Sequence, residues 1–577
     1  MPYIDWLGKG DVVHHHKEIA YKTIDCQEVV GDVESENMII KGDNLLALKS
    51  LLPYYANAVK MIYIDPPYNT GNTSWVYNDN MDSPLIKKWL NDTVNADDLS
   101  RSDKWLCMMY PRLKLLRELL KEDGVIFISI DDAEVAHLRM MCDEIFGAVN
   151  FINNVIWEKK FSPQNDAKWF SDNHDHIIVY AKNKILWRPY LLERTKEQDN
   201  RYKNPDNDSR GNWTSSDLTV KRLTEKDIYE IVTPSGNKFF PTKGRSWSVP
   251  KKTMDKLISD NRIWFGEKGD NVPRLKRFLT DVGGITPLTI WKHPEVGHNQ
   301  EAMQELKRIF IDEVAFDTPK PVRLIQRILQ LSTRDNDIIL DSFAGSGTTA
   351  HAVIEQNRAD GGKRKFILIE TLDYAKEITA ERVKRVQQGY AFKGKDKTVL
   401  YEKKLTTTQV LKPKTMEKIG LEVEKLIEKE KPNYDKIEKT FKDNVLKVVG
   451  IKNIESFKEG LGGGFKYCEL GEEIFDESGE LNAKLSFADI AKHIYFVEFK
   501  QPLGKADVTA PYVGSFKEKH LYFYEKQFKT SNLKSVIKKH ENYKQLIVYA
   551  RRCSISNDEL KKHRVLVRYI PYDIKDN

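Results

Sequence analysis

Two short runs in this sequence carry residue types that could do chemistry. The first is Asp65-Pro66-Pro67-Tyr68. Two successive prolines stiffen the backbone and remove two N–H donors, which leaves the carbonyl of Pro66 free to accept beside the Asp65 carboxylate. Tyr68 adds a flat face. Such a set suits a planar amine, with its two N–H groups held by the carboxylate and the carbonyl and its ring stacked on Tyr68. The amino nitrogen of adenine is a group of this kind, and pinning both hydrogens favours a pyramidal nitrogen whose lone pair can attack. A Pro-Pro turn with Asp65 as a helix cap is the competing reading, and these four residues alone leave it open.

The second run is Asp341-Ser342-Phe343-Ala344-Gly345-Ser346-Gly347-Thr348-Thr349. Glycines let a backbone approach a ligand at a helix N-terminus, where the dipole favours negative charge. A P-loop would need Gly-Lys-Ser/Thr, and Gly347 is followed by Thr348. The spacing also departs from the dinucleotide fingerprint GxGxxG. Glu370, at the end of the next apolar run, is placed to accept from ribose hydroxyls. The combination favours a nucleoside ligand without a triphosphate.

These residues need elements to hold them. Asn37–Asp43, Val59–Ile64, Val125–Ile130, Ile338–Leu340 and Lys365–Ile369 are short apolar runs that read as buried strands. Asn44–Leu52, Trp105–Leu120 and Val322–Leu331 show helical spacing, and Asp123-Gly124 would stop the second of them. Strands alternating with helices predict an α/β fold, a doubly wound Rossmann-like parallel sheet. The rhythm dissolves over 159–300, a polar, cationic stretch with interspersed tryptophans, and then resumes. The expected division is an N-terminal extension (1–36), a first half of the sheet domain (37–158), an insertion (159–300), a second half (301–392), a solvated helical connector (393–450) and a C-terminal α/β domain (451–577). In that last part Ile494–Phe499, His520–Tyr524 and Gln545–Tyr549 read as strands.

The 577 residues exceed one core, and 40% apolar with 10% aromatic residues exclude a disordered chain. The net charge of +7 is compatible with a polyanionic partner without demonstrating one. Five scattered cysteines without a CxxC pair argue against a zinc ribbon and a disulfide framework. His14-His15-His16 diverge on any regular backbone, so no metal is expected there. The absence of a signal-like or membrane-spanning run leads to an expectation of a soluble cytoplasmic protein.

With these motifs in place, the chain resembles the amino-group DNA methyltransferases that depend on S-adenosylmethionine, in the permuted β class, and among them the modification (Mod) subunits of Type III restriction systems. The resemblance rests on IDPPYNTG (Ile64–Gly71), WLCMMYPRLKLLRELL (Trp105–Leu120), GVIFISIDDAE (Gly124–Glu134), FGAVNFINNVIWEK (Phe146–Lys159), FDTPKP (Phe316–Pro321) and DSFAGSGTT. It runs from Asn37 to about Val386. Ser342 stands where the family has proline, a change expected to alter local stiffness and little else.

The resemblance implies that Asp65, Pro66, Pro67 and Tyr68 hold the target base. Phe343, Gly345, Ser346, Gly347 and Thr348 would surround the methionine part of S-adenosylmethionine, with Asp341 at the strand end. Glu370 would take the ribose hydroxyls, Asp43 would face the adenine, and Lys320 beside Pro321 would pair with the methionine carboxylate. Asp43 as a helix cap and Lys320 as an exposed surface residue are the plainer alternatives. The insertion would recognise double-stranded DNA, with Arg210, Trp213, Lys243 and Arg245 as candidate contacts, and the base would have to be flipped out of the stack. A homodimer and a separate restriction (helicase-nuclease) subunit are the expected partners, with no metal and no membrane. The expected activity is N6-adenine methylation; N4-cytosine methylation, protein-glutamine methylation and a recognition subunit guiding a nuclease are the alternatives.

Overall fold

The structure is a computed structural model and describes residues 3–70, 100–311, 316–504, 508–540 and 542–574; Gly71 of the IDPPYNTG run lies outside them. Residues 1–188 and 289–577 form one compact unit and Pro189–Leu288 a second.

The larger unit is built on a ten-stranded sheet. Its strands are β1 (Lys22–Gly31), β2 (Met38–Lys41), β3 (Val59–Ile64), β4 (Leu120–Ile130), β5 (Phe151–Glu158), β6 (His174–Ala181), β7 (Ile290–Trp291), β8 (Ile338–Asp341), β9 (Lys365–Glu370) and β10 (Gly464–Glu473). They lie in the order β1-β10-β2-β9-β8-β3-β4-β6-β5-β7. All neighbours from β10 to β4 are parallel. Antiparallel β1 closes one edge, and antiparallel β6 and β5 extend the other. Strands β8 and β9, from late in the chain, thus fill the space between β2 and β3. The order reverses between β8 and β3, and crevices at such reversals are where open α/β sheets bind ligands.

The principal helices here are α1 (Asn44–Tyr55), α2 (Arg101–Leu119), α3 (Val322–Ser332), α4 (Thr348–Asp360), α5 (Glu381–Gln388) and α6 (Phe487–Phe499). Ile40, Ile62, Ile64, Ile126, Ile128, Leu340, Ile367 and Ile369 share one apolar cluster with α1 and α2. Their neighbours Ile39, Met61, Tyr63, Ile339, Phe366 and Leu368 point to the opposite face by the two-residue period and are equally buried. On that side α3 touches β3, and α4 touches β9. Burial on both faces explains the near-continuous apolar strands.

Four sequence expectations need correction. Ile494–Phe499 is the end of helix α6, capped by the Ser486 side chain accepting from the Asp489 N–H; a short apolar run has no period long enough to separate helix from strand. The stretch 393–450 is no helical connector: Gly389–Lys404, Lys436–Lys442 and Val445–Glu459 form a three-stranded antiparallel sheet. The helix Pro413–Glu430 sits with it on a small core of Leu405, Ile419, Val423, Leu446 and Val448. Lysine-rich outer faces hid the alternating apolar residues. The C-terminal part also does not stand alone, since β10 pairs between β1 and β2 and α6 shares the main apolar cluster. Finally, Cys26 and Cys468 face each other across β1 and β10 and are joined by a disulfide, while Cys107, Cys142 and Cys553 are free. Their separation in sequence concealed a pairing that strand register creates.

The smaller unit is narrower than the expected insertion, because 159–188 and 289–300 belong with the large sheet. Short strands Trp213–Ser216, Ile263–Trp264 and Arg274–Phe278 form its three-stranded sheet. Leu218, Ile231, Trp247, Met254, Ile263 and Phe265 make its core.

Candidate active site

The carboxyl ends of β3, β8 and β9 bring Asp65, Asp341 and Glu370 to one edge of the sheet. Tyr63, Asp65, Lys320, Asp341, Phe343, Gly345, Ser346 and Thr348 line a single cleft there. Residues far apart in sequence therefore meet at the point where the strand order reverses.

The Asp65 carboxylate divides its two oxygens. Oδ2 accepts from Lys320 Nζ at 2.5 Å. Oδ1 is buried, has no hydrogen-bond partner of good geometry among the described residues, and lies close to the Tyr68 hydroxyl. Tyr68 is half-buried, and desolvation of its hydroxyl, with Asp65 nearby, pushes that group well above the ordinary phenol range. Its ring lies 5.1 Å from Lys320 Nζ. The Trp105 indole donates to the Pro67 carbonyl at 2.7 Å. Asn69, which takes a left-handed conformation, donates to the buried Glu134 carboxylate at 2.7 Å. Ser102 donates to the same carboxylate at 2.8 Å. The Pro-Pro turn is thus clamped from α2 and from the loop after β4.

The glycine loop is held as firmly. Gly347 sits at φ 79°, and a Cβ there would come within 3.0 Å of the Thr379 carbonyl, so the turn admits only glycine without strain. Phe343 N–H donates to Asp341 Oδ1 at 3.0 Å, and the Thr349 hydroxyl donates to Oδ2. Gly345 N–H and Leu372 N–H donate to the two oxygens of Glu370 at 2.8 and 3.0 Å. Arg382 on α5, fully buried, donates to Ser346 Oγ at 2.9 Å and to Thr348 Oγ1 at 2.8 Å. Thr348 in turn donates to the Lys320 carbonyl at 3.3 Å, tying the loop to FDTPKP. Burial pushes both Asp341 and Glu370 up to about 7 and Arg382 down to about 10.

Lys320 is buried against Asp65 rather than exposed on the surface, and Pro321 precedes the first turn of α3. Asp43 caps α1, with Oδ1 accepting from Leu45 N–H at 2.9 Å and Leu46 N–H at 3.0 Å. Its strand end touches that of Glu370 through Gly42 N–H to the Glu370 carbonyl, 3.1 Å. Arg210, Trp213, Lys243 and Arg245 all lie in the 189–288 unit. There Arg210 spends its guanidinium on Asp208 at 2.8–2.9 Å and Asp260 at 3.1 Å. Trp213 is buried, with its indole on Asp206 at 2.8 Å. Arg245 bonds Asp217 at 3.2 Å, and Lys243 is exposed. Burial takes the Trp213 side chain off the surface, whereas Arg210 keeps 27% of its side chain exposed beside its carboxylate partners.

Sequence reasoning missed Asp175 and Lys159. Asp175 is 3% exposed and accepts from Lys159 Nζ at 2.7 Å. Burial raises its carboxyl above the ordinary range, against the opposing pull of Lys159 and Lys320. Its signal was a charge flanked by histidines at the start of an otherwise apolar strand. Trp105, Asn69, Glu134 and Arg382 were missed because each acts through a neighbour and forms no motif of its own.

The family model for DNA methylases, N6_N4_Mtase, matches residues 59–381. The Mod subunit of the Type III restriction-modification enzyme StyLTI of Salmonella typhimurium is 37% identical over 425 residues, 66% of this chain and 62% of that protein. The EcoPI Mod subunit of Escherichia phage P1 is 34% identical over 420 residues, 64% of this chain and 63% of that protein. The Type II methyltransferase M.KpnI of Klebsiella pneumoniae is 30% identical over 366 residues, 58% of this chain and 81% of that one. The chain thus spans somewhat under two thirds of the length of the Mod relatives. Since the matched residues contain both the Asp65–Tyr68 turn and the Asp341–Thr349 loop that the sheet brings into one cleft, this chain belongs to the N6/N4 DNA methylase family.

Proposed function

We propose that the protein transfers a methyl group from S-adenosylmethionine to the exocyclic N6 amine of adenine in duplex DNA, as the modification subunit of a Type III-like restriction system. The open, buried Oδ1 of Asp65 beside Tyr68 carries this reading. A buried acceptor without a donor costs free energy unless a ligand satisfies it, and an amine on a stacked ring does so.

The residues present fit the cofactor. Glu370 offers a buried carboxylate at the strand end for a diol, and Gly347, packed against Thr379 where a Cβ would crowd, lets the loop turn tightly into the helix beside it. S-adenosylmethionine, when bound, supplies an electrophilic methyl group. The protein's own part is to orient and to exclude water. Asp65 and the Pro66 carbonyl accept the two amine hydrogens, Tyr68 stacks on the ring, and Trp105 and Asn69 keep that turn from relaxing. Lys320 holds Asp65 through one oxygen and leaves the other to the base. The same ammonium remains a candidate partner for the methionine carboxylate, and Asp43 a neighbour of the cofactor adenine. Reaching the amine requires flipping the base, a cost of a few kcal/mol that stacking on Tyr68 and phosphate contacts offset.

The 189–288 unit is the proposed recognition module. Arg210, Lys243 and Arg245 are its remaining candidate contacts from the sequence. A homodimer, with one copy reading and the other methylating, and a separate restriction subunit are the proposed partners; a monomer by light scattering with and without DNA would remove the dimer. Asp65→Ala is expected to abolish transfer while leaving S-adenosylmethionine affinity within about twofold, and unchanged turnover would overturn the assignment. Digesting the modified DNA and identifying the nucleoside separates N6-adenine from N4-cytosine, which offers the same amine geometry.

A further inference from the structure

Strand β6 begins His174-Asp175-His176, and the two-residue period sends these side chains to opposite faces. Asp175 is buried on one face, accepting from Lys159 Nζ at 2.7 Å. His174 and His176 share the other face, with ring centroids 5.2 Å apart. Antiparallel pairing sets Ile130 of β4 opposite His176, so the chain leaving β4 carries Asp132 alongside the two imidazoles. His176 Nε2 is 2.9 Å from Asp132 Oδ1. One ligand atom from each of Asp132, His174 and His176 lies within 4.8 Å of the others.

We infer that Asp132, His174 and His176 form a binding site for a divalent transition-metal ion of the zinc class. A histidine–carboxylate pair alone is commonplace. Two further features set this group apart. The second imidazole stands on the same strand face, two residues away. The side-chain amide of Asn154, on β5, sits 3.0–3.2 Å from His176 Nδ1 through its nitrogen and oxygen. With Nδ1–H donating to the amide oxygen, the lone pair of Nε2 points at Asp132, and an ion takes the place of the proton between them. A hydrogen bond on the far ring nitrogen is how ligating histidines are usually oriented.

Two imidazoles and one carboxylate suit Zn²⁺, Co²⁺ or Ni²⁺, whereas Mg²⁺ and Ca²⁺ prefer all-oxygen shells. With Zn–ligand bonds of about 2.0–2.2 Å, any ligand atoms near the 4.8 Å limit of the group have to close by an ångström or more. The side chains of His174 and Asp132, 36% and 71% exposed, are free to make that movement. The fourth position falls to water or to Asp172, whose Oδ1 is 3.9 Å from His174 Nδ1. The position also gives the ion a consequence. Asp132 precedes Glu134 by two residues, and Glu134 holds Asn69 directly after Tyr68. An ion that fastens Asp132 to β6 therefore stiffens the loop that positions the catalytic turn.

The test uses the full chain freed of metal by a chelator and titrated with Co²⁺. Visible d–d absorption is expected to saturate at one equivalent, to be displaced by Zn²⁺ and to be unaffected by Mg²⁺. His174→Ala and Asp132→Asn, both at solvent-accessible positions, are expected to weaken uptake about tenfold or more. A chain with His14, His15 and His16 all changed to Ala is expected to retain it. X-ray absorption of that His14–His16 variant loaded with Zn²⁺ is expected to show two imidazoles in the first shell, a readout independent of the folding of the His174 and Asp132 variants. No Co²⁺ uptake, uptake lost with His14–His16, or a first shell with fewer than two imidazoles would overturn the site.

Discussion

Each unit of this protein buries a cluster of opposite charges, and the two clusters are finished differently. In the 189–288 unit, Lys276 is fully buried between Asp206 and Asp208, Arg210 forks onto Asp208, and Trp213 closes over the ammonium at 5.3 Å. Every member is spent on another. Hydrogen bonds from Arg210, then from the backbone and Lys276, hold the Asp208 carboxyl far below its usual range despite burial. In and beside the candidate active-site cleft, Lys320 meets Asp65 and Lys159 meets Asp175, yet Asp65 Oδ1 has no partner of good geometry among the described residues. There burial wins: Asp175 is raised, and Asp341 and Glu370 stand near 7. A satisfied cluster stabilises a fold, whereas an unsatisfied one stores affinity for what will complete it.

That contrast can be broken by removing the central cation from each cluster. Lys320→Met is expected to lower methyl transfer on the order of 100-fold, as loss of a preorganised charge in an active site does, while shifting the melting temperature only slightly. The rate is read by radiolabelled methyl incorporation. Lys276→Met should do the reverse to the smaller unit. Removing the buried cation that Asp206 and Asp208 share costs about 3–5 kcal/mol, seen as an early unfolding step in denaturant. Equal effects of the two substitutions on stability would erase the distinction drawn here.

A subtler version changes geometry and keeps charge. Arg210→Lys loses the fork onto Asp208 and is expected to cost about 1–2 kcal/mol in the same denaturation experiment.

The smallest expected effect separates the clusters by pH. A carboxyl whose folded pKa is raised contributes stability that is complete below its unfolded value, near 4, and is lost as pH rises through the folded value. For Asp341 and Glu370 that window is about pH 4 to 7. Asp208 has the opposite sign: its contribution is present above about 4 and disappears only as pH falls further. Melting curves of the cofactor-free chain should therefore show a decline toward neutrality that Asp341→Asn with Glu370→Gln flattens, and an acid limb that the double substitution leaves in place.

The motifs at Asp65–Tyr68 and Asp341–Thr349 were legible because their chemistry is local: proline fixes a turn, and glycine permits one. The central strands were legible because both of their faces are buried. What failed, failed for the complementary reason. Trp213 looks like a contact for a polyanion when read alone, and only the fold shows it buried with Asp206 waiting for its indole. Ile494–Phe499 carries no period long enough to declare a helix, and packing within the main apolar cluster decided it. Asp175 gave only a weak warning, a charge between two histidines at the start of an apolar strand, because a single acid there is informative only when the facing charges are known.

By itself, then, the sequence determined the family and singled out the candidate reactive turn, because both depend on residue types within a few positions of one another. The tertiary structure decided which charges are spent and which remain open. That depends on contacts such as Lys320 with Asp65, made between residues 255 positions apart, and no local pattern encodes the distance at which two such side chains will meet.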